Sequence, residues 1–400
     1  MNSRFQICLR IASLLVLVFK VANADAPVDA PPKILNLADY GAKPDSKADV
    51  TEAFQQAFAE AGTQPGNVVL QIPKGQYELF TDKATKKEYH ISNTSDESVN
   101  QTKVIGLYLK GLKNLTIDGN GSLIFCHGKM TIALLDSCEN VTIRNLHFDF
   151  VRPTVSEITV KAVEGNTVDF QVNADSTYKL EQNKIIWTGE GWQSSGGIAQ
   201  EYDPVKDTTW RCSNPVQSAQ SIVETGPHLL RITYGKPLGT KIGHIFQIRD
   251  GTRDEVGMLL LRSRNIILQD LGMHFMHGLG IVGQFSDMIT LDGVDCEPRP
   301  EADVLVRDLL ILRTSPGVAE KFSFLIVISA ALRMMPSIFM EPISRFRRRL
   351  HPTRFWSLSS TLKPGASTPF SRRRGRIHQL RYACPVRRRS RRQCRAKESA

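Results

Sequence analysis

Metal-type cysteine spacing is missing from this sequence. Cys126, Cys138, Cys212 and Cys296 form no C-x-x-C pair, so zinc-ribbon and iron–sulfur architectures have no ligand set here, and the four read as core residues. Long apolar runs are missing too. Residues 11–19 and the stretch KFSFLIVISAALRMMPSIFM at 321–340 both fall short of the about 20 apolar residues that span a bilayer. Acidic residues nearly disappear from the last quarter, where 22 Lys and Arg face 6 Asp and Glu, against 29 and 34 in residues 1–300. A mildly acidic chain is therefore followed by an arginine-loaded one, and the two need separate explanations.

The first residues have the form of an export signal. Arg4 and Arg10 precede the apolar run 11–19, and Ala22-Asn23-Ala24 offers a small-x-small cleavage site. The expectation is an exported protein, periplasmic, cell-surface or secreted, with residues 1–24 as the signal. Next, Asp49 or Thr51 can cap a helix whose Phe54, Ala57, Phe58 and Ala61 share one face, with Gly62 as its stop. A buried strand, VVLQI, follows and ends at Pro73–Gly75. One amphipathic helix ahead of many strands suggests a cap over an open end of sheet.

Repeats follow. KNLTIDGNG from Lys113, ENVTIRNLHF from Glu139, RNIILQDLGMHF from Arg264 and SDMITLDGVDCEP from Ser286 share a pattern of polar turn, alternating strand and polar turn. The first two lie 26 residues apart and the last two 22, measured from Asn114 to Asn140 and from Asn265 to Asp287. Such periods suit a solenoid in which each coil buries its apolar face on the next. Leu115, Ile117, Val141 and Ile143 then point inward, while Asn114, Asn140, Asn145 and Asn265 occupy bends. A parallel β-helix is expected. About a hundred residues interrupt it: EITVKAVEGNTVDFQV carries a hairpin signal at Gly165-Asn166, and HLLRITYGKPLGTKIGHIFQIRD looks alike. Residues 153–250 therefore read as an inserted all-β, barrel-like module. Its Trp187, Trp192 and Trp210 suit either core packing or stacking on sugar rings. The expected layout is a cap and first coils over 33–152, further coils over 251–300, and a tail over 301–400. The RRR clusters near Arg372, Arg387 and Arg391 are dense enough in charge to leave that tail disordered.

The segment 39–77 resembles the N-terminal part of pectin-lyase-like right-handed β-helices. The run FCHGKMTIALLDSCENVTIRNLHFDFVRPTVSE, the β module after it and MHFMHGLGIVGQFSDMITLDGVDCEPRP together resemble glycoside hydrolase family 110. The resemblance covers about residues 33–300. It implies an inverting exo-α-1,3-galactosidase that removes terminal galactose, including from blood-group-B-type glycans. Such hydrolysis needs one carboxylic acid for the leaving oxygen and a second carboxylate that activates water, about 6.5–9.5 Å apart. The family places its catalytic carboxylates, an Asp-Asp pair among them, in coils after the EPR segment. No Asp-Asp pair follows Arg299 in this chain.

The letters of the tail suggest why. Shifted by two nucleotides, Met334-Met335-Pro336 is forced to read x-Asp-Ala, where x is Asp if the Arg333 codon ends in G. Met340-Glu341 likewise becomes His or Tyr followed by Gly. The region from about 300 therefore reads as a coding sequence in the wrong frame, and no catalytic residue is intact. Candidate substrate-binding residues are Asp149 and Arg152 in FDFVRP, His274 and His277 in MHFMHGLG, and Glu297 and Arg299 in CEPR. Arginine can fork onto sugar hydroxyls or hold a carboxylate, and histidine can donate to hydroxyls. Structural roles at a domain junction or a turn suit the same residues. No cofactor or metal is implied, and the expected partners are galactose-terminated glycans. Neither nucleic acid nor a membrane span is expected, since the basic tail lacks periodicity. A non-catalytic, carbohydrate-binding β-helix is the alternative reading.

Overall fold

The computed structural model describes residues 31–91, 102–251 and 255–299, together with the backbone of the strand Ser323–Leu325. All belong to one compact unit. The expected signal at 1–24 and, apart from that strand, the tail at 301–400 lie outside the described residues.

Two parallel sheets form the body. The first aligns strands Lys33–Asn36, Val68–Gln71, Lys113–His127, Glu139–Phe150, Arg264–Met273 and Asp287–Asp292 side by side, with Gln76–Phe80 on the second half of Lys113–His127. The second aligns Thr102–Lys110, Thr131–Asp136, Met258–Leu261 and Ile281–Gln284 in parallel, with Thr85–Glu88 antiparallel at its edge. From Thr102–Lys110 onward the solenoid strands pass alternately from one sheet to the other, so their parallel pairs are steps between coils. This is the expected right-handed β-helix. Alternation does the sorting: Leu115, Val141, Ile266 and Ile289 stack inward in register, and Ile117, Ile143, Leu268 and Leu291 do the same one step on.

The bends explain the asparagines. Asn114, Asn140 and Asn265 all have left-handed backbone, with φ of 54, 55 and 53°, a conformation that costs most side chains energy and asparagine less. Their side chains also join. Asn140 Nδ2 donates to Asn114 Oδ1 at 2.8 Å, and Asn265 Nδ2 donates to Asn140 Oδ1 at 2.9 Å. On the next coil the bend falls to Met288, φ 55°, because Arg264 lies opposite Asp287 and Ile266 opposite Ile289. The last step is thus 23 residues rather than 22, and the asparagine ladder stops there.

The helix Thr51–Thr63 covers the N-terminal end, burying Phe54, Ala57, Phe58 and Ala61. The N-cap position falls to Val50, which offers no capping side chain, so neither expected cap occupies it; Asp49, one residue earlier, accepts from the Thr51 N–H at 2.9 Å. Gly62 does not end the helix. It sits in the last turn, where a Cβ would come within 3.1 Å of Leu112 Cδ2, so its role is a close approach to the coil below.

Residues 155–249 leave the solenoid as an antiparallel module. Its seven-stranded sheet runs in the order Thr208–Cys212, Ala199–Asp203, Ile245–Arg249, Val155–Glu164, Thr167–Val172, Leu229–Tyr234, Ala219–Gly226. The Gly165-Asn166 hairpin is present. The second segment is not a hairpin: Leu229–Tyr234 and Ile245–Arg249 flank the first pair on opposite sides instead of pairing together. A loop of ten residues leaves room for the crossing, whereas a two-residue turn enforces pairing. The core of the module is Ile158, Val160, Phe170, Trp187, Ile232, Phe246 and their neighbours.

The tail expected to add no structure contributes one strand. Ser323–Leu325 pairs in parallel with Thr290, Leu291 and Asp292, as an unpaired sheet edge accepts any apolar extended segment. Among the described residues no helix is long and apolar enough to cross a membrane.

Candidate functional site

A cavity of about 510 Å³ opens on the outer face of the first sheet, where its second-half strands meet the inserted module. Register builds its floor. Glu78 lies opposite Phe125 and Phe125 opposite Asp149, while Phe80 lies opposite His127. Residues two apart on a strand share a face, so these five side chains point outward together. Lys47, Val151, Pro153, Asp175 and Arg299 close the sides.

The charges are arranged in pairs. Glu78, whose side chain is only 4% exposed, accepts from Lys47 Nζ at 3.1 Å and faces His127 Nε2 at 2.9 Å. The other nitrogen of His127 faces Glu190 Oε1 at 2.7 Å, and its ring stacks on Phe80 with centroids 3.8 Å apart. Asp149 accepts from Arg299 Nε at 2.5 Å and from the Phe150 N–H at 2.8 Å. The Arg299 guanidinium also lies 4.9 Å from the centre of the Phe125 ring, with Lys47 Nζ at 5.7 Å. Directly beneath, burial pushes the Cys126 thiol well above the usual range, with the Asp149 and Glu78 charges adding to the effect. That thiol is a core group and not a nucleophile.

The module is fixed to this wall at three points. Arg152 is buried at the junction. It donates to Thr188 O at 3.1 Å, Val155 O at 3.3 Å and Ser156 Oγ at 3.0 Å, with Trp192 under its guanidinium at 5.0 Å. Burial lowers its pKa to about 10, which leaves it charged at neutral pH. Lys129 meets Asp250 at 2.6 Å where the chain returns to the solenoid. Third, Glu190 holds His127 and the Gly128 N–H, the latter at 3.0 Å. Gly128 has φ +78°, and a Cβ there would lie 2.9 Å from Thr81 Cγ2 and 3.2 Å from Glu190 O. Only glycine fits under that turn.

The six residues expected at the site divide accordingly. Asp149 and Arg299 line the cavity, paired with each other and not Asp149 with Arg152. Arg152 does not line it. His274 lies one coil on, since Met273 sits opposite Phe148. His274 Nε2 is 3.1 Å from His147 Nδ1, and its Nδ1 donates to Glu297 O at 2.7 Å. The two imidazoles stack at 5.2 Å over Gly272. Burial, reinforced by His274, holds the His147 pKa below the usual histidine range. His277 is buried edge-on against Phe150 and Phe275, with Nδ1 2.9 Å from Thr154 Oγ1. Glu297 follows the turn at Asp295, whose carboxylate accepts its N–H at 3.1 Å. Of the tryptophans, Trp187 is core, Trp192 supports Arg152, and Trp210 is 40% exposed on the module's edge strand. Among the described residues no group of three or more His, Cys, Asp or Glu is placed to hold a metal.

Sequence reasoning missed Glu78, Phe80, Phe125 and His127. Their signal was available in the second half-strands QYELF, SLIFCH and NLHFDF, which alternate in the same phase.

The fold and cleft define a parallel β-helix carrying an inserted barrel, and the GLAA-B beta-barrel domain I family model matches residues 156–246. By sequence the chain is a homologue of α-1,3-galactosidases. It is 40% identical over 273 residues to α-1,3-galactosidase A of Bacteroides fragilis strain YCH46, covering 68% of this chain and 45% of that protein. It is 37% identical over 262 residues to α-1,3-galactosidase A of Bacteroides thetaiotaomicron, covering 61% and 46%. The match thus spans less than half of the length of each relative. A solved family 28 exopolygalacturonase of Yersinia enterocolitica overlays 72% of this chain and 42% of its own, at 12% identity and a TM-score of 0.33.

Proposed function

We propose that the chain is an exported glycan-recognising β-helix of the α-1,3-galactosidase type, whose cleft receives a terminal galactose but lacks the carboxylates that cleave it. The observation that carries this reading is the cleft's composition and place. A cavity of about 510 Å³, lined by Asp149–Arg299, Glu78–His127 and two aromatic rings, is suited to one or two sugar rings. It lies within the segment that resembles α-1,3-galactosidases. Paired carboxylates and cations offer acceptors and donors for hydroxyls, and Phe80 and Phe125 offer apolar surface for ring C–H groups.

Hydrolysis needs more. Inversion requires an acid and a base on opposite sides of the glycosidic bond with water between. Here Glu78 and Asp149 are both held as ion-paired acceptors, so neither is arranged as a proton donor. The coil beyond Arg299 is where the missing pair belongs, and there this sequence reads out of frame. Galactose release from α-1,3-galactobiose tests this: the chain as given should release none, and the chain with its frame restored near residue 300 should release galactose. Activity in the given chain, or none in the restored one, contradicts the proposal. Resequencing across residue 300, with mass spectrometry of the tail peptides, tests the frame itself. N-terminal sequencing of the exported protein tests cleavage after Ala24.

A non-catalytic glycan-binding role is the second reading, favoured by the absence of an Asp-Asp pair after Arg299. Restoring the frame separates the two, since this reading expects no activity from either chain.

A further inference from the structure

The inserted module brings two carboxylates to the cleft, and they stand in different chemical situations. Glu190 is fully engaged, holding His127 with one oxygen and the Gly128 N–H with the other. Asp175 lines the cavity from the loop between Thr167–Val172 and Tyr178–Glu181. Among the described residues its carboxylate accepts no hydrogen bond and meets no cation within ion-pair distance; its charge is felt by the buried Arg152 guanidinium behind it, which donates elsewhere. The other cavity-lining charges are matched: Lys47 and His127 serve Glu78, and Arg299 serves Asp149.

The loop that carries Asp175 is nonetheless fixed. The Asp175 N–H donates to Asn173 Oδ1 at 2.9 Å. Its neighbour Ser176 is buried, accepting from the Glu157 N–H at 2.9 Å through Oγ. A carboxylate with no hydrogen-bond donor, on a tethered backbone at the rim of a sugar-sized cleft, is an acceptor placed for a ligand hydroxyl. Its charge also excludes ligands: a sugar hydroxyl can donate to it, whereas a sugar carboxylate brings like charge against like charge.

We propose that Asp175 is a specificity-determining residue of the cleft, accepting from a hydroxyl of a neutral sugar and rejecting uronic-acid sugars. The inference rests on the glycan reading above and adds the ligand's charge class. It also gives the barrel a role in recognition.

The test compares two probes, α-1,3-galactobiose and digalacturonate, titrated by NMR into the full chain and into Asp175→Asn. Asp175 is exposed, and a melting curve checks that the variant folds. A hydrogen bond to a charged group contributes about 1.5 kcal/mol or more, so galactobiose affinity should fall by about tenfold in Asp175→Asn. Digalacturonate affinity should rise by a similar factor, and Asp175→Lys should raise it further. An unchanged ratio of the two affinities, with galactobiose bound by the wild type, overturns the role of Asp175 and leaves the glycan reading standing. If the wild type binds neither sugar, both fall together. If it prefers digalacturonate, the neutral-sugar specificity is overturned.

Discussion

Arg299 donates from Nε to Asp149 Oδ2 at 2.5 Å, joining two residues 150 positions apart in sequence. Both residues line the cleft. The Asp149 side chain is only 8% exposed, so removing Arg299 strands a buried carboxylate. Arg299→Ala should therefore lower stability by about 1–3 kcal/mol, read by urea denaturation, and abolish measurable galactobiose binding. Arg299→Lys should retain part of the stability but little of the binding, because a point charge replaces a planar fork. Equal behaviour of Lys and Ala contradicts a role for the guanidinium's shape.

The asparagine ladder makes a separate claim about stability. Asn140 combines a left-handed backbone with hydrogen bonds to both Asn114 and Asn265. Asn140→Ala should lower stability by about 1–3 kcal/mol, the sum of backbone strain and lost bonds. Asn140→Gly should be milder, since glycine relieves the strain. If both variants lose the same amount in chemical denaturation, the left-handed bend is not what selects asparagine.

Asp136 carries the acid dependence of the second sheet. Burial opposes its ionisation, but hydrogen bonds from Arg262, Ser137 and Tyr89 outweigh that and hold its pKa below the usual carboxylate range. The folded pKa is therefore below the unfolded one. Its contribution is present above about pH 4 and is lost as pH falls through the lower folded value. Stability measured from pH 6 to pH 2 should fall less steeply in Asp136→Asn than in the wild type. Identical acid limbs in the two proteins count against this assignment.

The imidazole pair offers a spectroscopic check. His147 should titrate below about 6.5 in NMR, and His274→Ala should move it upward. Gly272→Ala places a Cβ 2.2 Å from His147 Nδ1. It should separate the rings at a cost of about 1–3 kcal/mol. An unmoved His147 titration in both variants shows that the two rings are uncoupled.

The solenoid was legible because its signal is local and repeated. Alternating apolar residues and asparagine bends recur within each coil, and the Gly165-Asn166 turn fixes its hairpin over two residues. The second apparent hairpin misled because its ten-residue loop does not specify pairing. The cleft was half legible. Asp149 and Arg299 were named, but in separate motifs, with nothing in the sequence to join them. They lie on either side of an inserted module of about a hundred residues, and only the stacking register brings them near. Glu78 and His127 went unseen because the repeats were aligned on their first half-strands, whereas the cleft is built on the second. The two-residue alternation in QYELF, SLIFCH and NLHFDF carries that information once register is applied.

Titration of α-1,3-galactobiose into the full chain, followed by NMR, tests the central claim most directly. The account expects saturable binding, lost in Arg299→Ala, with no galactose released. Absence of binding, or binding that survives Arg299→Ala unchanged, contradicts the cleft as the glycan site.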